Sequence, residues 1–302
     1  MDGFLHTLLT MSLTAAIAAG VVMLLRLLLK RVPRWITCLL WAVVLLRMVC
    51  PVGVSLPVSL MPETVSSGAY VERVLPQAET PASTPQAATT TTTAPAATTQ
   101  TPVTRETVAV TPTGPDRDTV LTILWAAGAI ACLAWGAISY LRLRLRIADA
   151  ILIEKNIYET DQIDSPFVLG FFRPRIYLPV GLTAQERRYV LLHEQAHIRR
   201  RDYLTKPLAY VALCFHWFNP VLWLSYHIFG RDIETATDQA VIRSFGRTDT
   251  AGYAAALLHL GHKPSFPQAV PLAFGEENPK HRIRSVLSYK KPAFWVILAA
   301  VA

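Results

Sequence analysis

The chain has 302 residues, of which 52% are hydrophobic and only 17% charged, and its formal net charge is +8. A mean hydropathy of +0.33 excludes an ordinary soluble domain, and membrane topology with anionic lipid explains the basic balance more economically than nucleic acid does. Cys38, Cys50, Cys132 and Cys214 lie in or beside apolar runs without C-x-x-C spacing, so they read as small hydrophobes packed in helices.

Residues 1–57 are read as two membrane helices. The first, "FLHTLLTMSLTAAIAAGVVMLL" (Phe4–Leu25), is uncharged and reaches the roughly 20 residues that a hydrocarbon core demands. It lacks a basic n-region and is too long for a signal-peptide core, so it is read as retained, with His6 near the outer membrane face. The second, "WITCLLWAVVLLRMVCPVGVSL" (Trp35–Leu56), is interrupted by Arg47, which snorkels or pairs inside a bundle. Arg26, Lys30, Arg31 and Arg34 between them resist translocation, which puts that connection in the cytoplasm and the N-terminus outside.

Residues 58–118 are rich in Thr, Pro and Ala and cannot bury enough apolar surface to offset their conformational entropy. They are expected to form a disordered extracellular loop, open to glycosylation. Residues 119–141, containing "VLTILWAAGAIACLAWGAISYL" (Val120–Leu141), are the third span, and the "RLRLR" that follows (Arg142–Arg146) belongs inside.

Residues 142–291 are then a cytoplasmic domain. In "SPFVLGFFRPRIYLPVGL" (Ser165–Leu182) short β-prone runs are broken by Gly170, Pro174 and Pro179, which predicts a hairpin. Thr183, with Glu186 three residues on, is a capping-box signature and starts a helix that carries "LLHEQAHIRRRD" (Leu191–Asp202). Four residues apart on a helix, His193 and His197 face the same way and can offer two imidazole nitrogens to one metal ion, with Glu194 beside them. The pattern arises by chance as well, and two interfacial histidines satisfy it equally; a catalytic zinc needs a third protein ligand.

Glu234 and, one turn later, Asp238 lie in "FNPVLWLSYHIFGRDIETATDQAVI" (Phe218–Ile242). The uncharged run Leu208–Phe229 is long enough to cross a bilayer, and a crossing would part Glu234 from the histidines. Asn219 is a good N-cap and Pro220 a favoured first helical residue, so the run is read as a re-entrant helix pair around residues 208–229. A helix from Pro220 reaches Glu234 after about 21 Å, on the side of the histidines. That completes a three-ligand metal site of His193, His197 and Glu234. Asp238 is placed to accept a hydrogen bond from the non-ligating nitrogen of a ligand histidine. His216 and His227 are read as bundle or interface residues, while His259, His262 and His281 have no identifiable ligand partner.

The stretches "SPFVLGFFRPRIYLP", "HEQAHIRRRDYL", "HWFNPVLWL" and "RDIETATDQAVI" together resemble the BlaR/MecR-type membrane metallopeptidases, the antirepressor proteins of β-lactam sensing and their sensor-less relatives. The resemblance covers about Ser165 to Ile242; the spans fit the family's topology rather than its letters. It implies a mainly α, polytopic protein of the bacterial plasma membrane with a gluzincin-like cytoplasmic zinc metalloprotease domain containing a small β-hairpin or sheet. One Zn2+ per chain would sit on His193, His197 and Glu234, with Glu194 as catalytic base. A cytoplasmic protein, either a transcriptional repressor or the chain itself, would be cut when an outside event alters the spans. The family often has Cys where Thr237 stands here, a position that is not a ligand.

In similar gluzincins a strand upstream of the metal helix pairs with extended substrate, which makes Arg175, Ile176, Tyr177 and Leu178 of "RIYLP" a candidate edge strand; an ordinary core strand is the alternative. The segment "HRIRSVLSYKK" (His281–Lys291) is either an exposed linker where self-cleavage occurs or a positive-inside anchor. "SYKK" (Ser288–Lys291) matches S-x-x-K, yet neither S-D-N nor K-T-G occurs, so no β-lactam acylation is expected. Residues 292–302, "PAFWVILAAVA", read as the start of a fourth span, after which any penicillin-sensing domain would lie. Two rival readings stand beside this one: a constitutive quality-control or prenyl-processing metalloprotease, and a non-catalytic membrane scaffold with a degenerate site.

Overall fold

The computed structural model describes residues 2–28, 32, 34–50, 117–245, 249–260 and 279–289. Most of the expected loop at 58–118, the end of the second expected span and the expected fourth span lie outside the described residues. Eight helices and four strands are described, in the order α1 (Asp2–Leu28), α2 (Arg34–Val49), α3 (Arg117–Arg146), β1 (Ile151–Glu154), β2 (Ile157–Thr160), β3 (Phe167–Leu169), β4 (Arg175–Pro179), α4 (Ala184–Arg200), α5 (Asp202–Phe215), α6 (Pro220–Phe245), α7 (Thr250–Leu260) and α8 (Pro279–Leu287).

Two of these helices, Gly3–Leu28 within α1 and Arg117–Arg146, are long and apolar enough to cross a membrane. Helix α2 has 16 residues and stops at Val49, just before the Cys50–Pro51 pair, because a residue preceding proline is pushed out of helical geometry. One face of α1 leaves Leu9, Leu13, Ile17, Val21 and Leu24 exposed, whereas its small residues Ala15 and Ala19 are buried against α2 and the hairpin of α5 and α6. Trp41, Val44 and Met48 of α2 and Leu213 and Leu222 complete that core.

Small residues also seat α3. A Cβ added at Gly128 would run into the indole of Trp217, and one at Gly136 into the ring of Tyr210, so these glycines let two aromatic side chains of the α5 region reach the α3 backbone. There Tyr210 donates to the Cys132 carbonyl at 2.8 Å and the Trp217 indole to the Trp125 carbonyl at 3.1 Å.

Helices α5 and α6 form the hairpin expected around residues 208–229. The turn between them closes with His216 N–H on the Leu213 carbonyl and Asn219 N–H on the His216 carbonyl, both at 2.9 Å. Asn219 caps α6 by accepting from Val221 N–H at 3.0 Å, and its amide donates to Ser12 Oγ at 2.9 Å, which ties the turn to α1.

The sheet has the order β1-β2-β4-β3. Strands β3 and β4 form the predicted antiparallel hairpin, with Phe167 opposite Tyr177 and Leu169 opposite Arg175. Gly170, at φ 116°, opens its loop in a conformation that favours glycine. On its other side β4 pairs in parallel with β2, Ile157 opposite Ile176 through Thr160 opposite Pro179. The proposed edge strand Arg175–Leu178 is therefore an inner strand: both of its flanks are paired, and the edges are β1 and β3. Ile176, Leu178 and Val168 pack beneath α4 with Val190.

Of the two readings of the basic segment at His281, the exposed linker is overturned: α8 runs through the described part of the segment, and both Arg282 and Val286 are buried. Val286 packs with Tyr189 of α4, Val241 and Ile242 of α6 and Tyr253 of α7.

Candidate active site

The site is built on α4, whose start is fixed by the capping box. Thr183 Oγ1 accepts from Glu186 N–H at 3.2 Å, and the Glu186 carboxylate accepts from Thr183 N–H at 2.9 Å. From that start the helix buries one face, and His193, Glu194, Ala196 and His197 all fall on it. At its end Arg201 adopts the left-handed conformation, φ 60° and ψ 30°, and serves at once as C-cap of α4 and N-cap of α5. The chain turns on this single residue and brings Asp202 back under His197.

The second half of α6 crosses α4 and buries Asp232, Glu234, Thr237 and Asp238. His193, His197 and Glu234 converge, each offering a ligand atom within 4.8 Å of the others. The two Nε2 atoms are 3.1 Å apart, and the Glu234 oxygens lie 3.4 Å from His193 Nε2 and 3.6 Å from His197 Nε2.

Both rings are oriented from behind. His197 Nδ1 donates to Asp202 Oδ2 at 2.9 Å. The Tyr253 hydroxyl donates to Asp238 Oδ1 at 2.7 Å, so its oxygen is left to accept from His193 Nδ1 at 2.9 Å; Asp238 Oδ1 itself is 3.3 Å from the same nitrogen. With a proton on each Nδ1, two Nε2 lone pairs face one another across 3.1 Å, which is tolerable only with positive charge between them. On a tetrahedral ion at 2.0–2.1 Å, two nitrogens stand about 3.3–3.4 Å apart. Two imidazoles and a carboxylate, each imidazole backed by a carboxylate, are the donor chemistry of such an ion, and the residues present fit it.

Electrostatics agree with that fit. Burial and the charge of Arg282 work against a cationic His193, but hydrogen bonding to Asp238 and Glu234 wins and lifts its pKa to about 9. Burial disfavours the charged forms of Glu234 and Asp238 as well; the His197 imidazole beside the first and the Arg282 guanidinium beside the second hold both well below the ordinary carboxylate range. Glu194 is different: burial is the dominant influence on it and raises its pKa. Its Oε2 is buried and has no hydrogen-bond partner among the described residues.

His193, Glu194, His197 and Glu234 line a cleft of about 40 Å³ together with Ser165, Pro166 and Arg282. That is room for a few water molecules, as one needs at least about 10–15 Å³. Ser165 and Pro166 lead directly into edge strand β3, whereas Arg175, Ile176, Tyr177 and Leu178 do not line the cleft.

Sequence reasoning missed three residues. Asp202 lies inside the quoted motif, five positions after His197, and only the left-handed turn at Arg201 gives it its place. Tyr253 and Arg282 sit on α7 and α8 with no spacing signal to connect them to the motif. Thr237, at the position where the resembling family often has Cys, is fully buried; it donates to the Ile233 carbonyl at 3.0 Å and stands 3.4 Å from His197 Nδ1. His259 pairs with Glu186 at 2.6 Å, away from the cleft, and His262 lies outside the described residues.

Comparison with known proteins follows the same residues. The sequence model of the family described as BlaR1 peptidase M56 matches residues 6–286. The methicillin resistance mecR1 protein of Staphylococcus aureus is 26% identical over 162 residues, 46% of this chain and 28% of that protein. The regulatory protein BlaR1 of Bacillus licheniformis is 33% identical over 88 residues, 28% of this chain and 15% of that protein. The chain thus matches less than a third of the length of either relative.

Proposed function

The chain belongs to the BlaR1 peptidase M56 family, and from that premise we propose that it is a membrane-embedded zinc endopeptidase of transmembrane signalling, which cuts a cytoplasmic protein when an external signal reaches it. The observation that carries the reading is the pair of Nε2 atoms at 3.1 Å with Glu234 against both, each imidazole held by its own carboxylate. His193, His197 and Glu234 would hold one zinc ion. When bound, zinc supplies Lewis acidity, lowering the pKa of a coordinated water toward about 7 and polarising the scissile carbonyl.

The rest is done by the chain. Glu194 takes the proton of the attacking water on its unpartnered Oε2 and returns it to the leaving amine; its raised pKa, caused by burial, brings it toward the range that suits both transfers. Asp202, Asp238 and Tyr253 keep the imidazole Nδ1 atoms protonated and the rings in place. Substrate pairing is reassigned from β4 to β3, whose outer flank is a sheet edge and whose leading residues Ser165 and Pro166 border the cleft. An extended peptide added there lies beside Glu194.

Exposed apolar faces on α1 and α3 support bilayer contact, and the distribution of Lys and Arg supports an N-terminus outside and the site in the cytoplasm. The substrate class is a transcriptional repressor or the chain itself, as the family resemblance implies; nucleic acid is not a direct partner. Metal content of the detergent-purified chain, measured by mass spectrometry beside Glu234→Ala, tests the reading. About one zinc per chain, lost in the variant, is the expected result. A wild-type chain without zinc would return "HEQAH" to two packed helix histidines and favour the scaffold reading.

A further inference from the structure

The guanidinium of Arg282 enters the site from α8, 44 residues after Asp238 in the chain. It is 7% exposed, and it grips the Asp238 carboxylate with two bonds, Nη2 to Oδ1 at 2.8 Å and Nε to Oδ2 at 3.1 Å. Its Nη1 stands 3.6 Å from Glu234 Oε2, and its Nη2 is 3.3 Å from His193 Nε2. One planar cation therefore addresses the carboxylate ligand, the carboxylate behind a histidine ligand, and that histidine.

We infer that Arg282 is a positioning residue of the metal site, a clamp that fixes Asp238 and Glu234 so that His193 and Glu234 present their ligand atoms together. The inference rests on the zinc reading of the site. Geometry decides the role. A carboxylate held through one oxygen can swing about that bond; held through both by a fork, it has one orientation, and here that orientation aims Oδ1 at His193 Nδ1 and at the Tyr253 hydroxyl. A lysine, a point charge without the fork, supplies charge without that constraint.

The segment that delivers the clamp is held by separate, apolar contacts. Val286 is 1% exposed, and Ile283 and Tyr289 pack on the same cluster as Tyr189 and Tyr253. Arg282 and Val286 lie four residues apart on one face of α8, the first toward the site and the second toward the core. The metal site is thereby completed by a helix that lies far outside the H-E-x-x-H motif.

The test compares zinc dissociation constants, by chelator competition on the full chain in detergent, for wild type, Arg282→Ala, Arg282→Gln, Arg282→Lys and Val286→Ala. Circular dichroism establishes which variants are folded, and the glutamine variant stands in if the alanine variant is not. Loss of a group that orients a ligand costs about 10–100-fold in metal affinity, and that loss is expected for the alanine and glutamine variants, with lysine between them and wild type. Millimolar guanidinium should recover much of the affinity of Arg282→Ala and none of any lost in Val286→Ala, a rescue that a purely packing role would not give. Wild-type or tighter zinc binding in folded Arg282→Ala or Arg282→Gln overturns the clamp, as does a loss that guanidinium leaves untouched. A wild-type chain that binds no zinc fails the reading of the site itself, which is a different result.

Discussion

In the proposed mechanism Glu194 acts through one carboxylate oxygen that is buried, with no hydrogen-bond partner among the described residues, one helix position from His193. A buried acceptor left unmade costs on the order of 1–3 kcal/mol, so it persists where something else uses it. Glu194→Gln keeps the shape and removes the base. Cleavage is expected to fall by about 10²–10⁴-fold while zinc content stays at the wild-type level, measured on the same preparation by peptide turnover and mass spectrometry. A variant that lost its zinc as well would merge the two roles. At this scale residue type and spacing anticipated which groups converge, His193, His197 and Glu234 with Asp238 behind His193. The sequence was silent on Asp202, which a local left-handed turn at Arg201 brings to its ring, and on Tyr253 and Arg282, which only tertiary packing brings to His193.

The helix that carries the motif begins at a cap that spacing alone disclosed, and the cap is separable from the site. Thr183→Ala removes the oxygen that accepts from Glu186 N–H and should lower stability by about 1 kcal/mol, read as a fall in Tm in detergent, with zinc affinity unchanged. Hydrogen bonds from Thr183 are the main cause that holds Glu186 below its ordinary pKa. A carboxylate depressed in the folded state contributes stability above its unfolded pKa and loses it as pH falls through the folded one, so the difference between wild type and Thr183→Ala should shrink in acid. The same local grammar made the α5–α6 hairpin legible, since Asn219 and Pro220 start a helix whatever surrounds them. Strand β4 shows the limit of such grammar. Its hairpin with β3 is local and was expected, but its parallel pairing with β2 joins Ile157 to Ile176 across the chain, and nothing in "RIYLP" announces a neighbour on both sides. Strands β1 and β2, four residues each and joined at Lys155 and Asn156, were missed although their antiparallel pairing is local.

Across the whole molecule, the helical bundle and the site share α6, and Asp232 is where they meet. Fully buried, it accepts from Arg26 Nε of α1 at 2.8 and 3.0 Å and from the Trp41 indole of α2 at 2.9 Å, two residues before Glu234. Asp232→Ala leaves a guanidinium and an indole N–H without their acceptor, a loss of about 3–5 kcal/mol for a buried pair. A large fall in Tm is expected, and a double change of Arg26→Met with Asp232→Leu, which removes the Arg26–Asp232 pair but leaves Arg34 without the carboxylate 3.8 Å from its Nη1, should recover part of it. An unchanged Tm in the single variant would show that Asp232 does not join the two parts. No reading of one stretch could show this contact, for its partners are 206 residues apart. Length along the chain matters at the opposite extreme too. Because Arg201 alone turns α4 into α5, the interval from His197 to Asp202 works as a fixed gauge. One inserted residue would rotate Asp202 by about 100° around the helix and carry its carboxylate off the imidazole, whereas glycine enters the left-handed conformation without a side-chain clash. Across related chains this junction should therefore admit changes of letter and refuse changes of length.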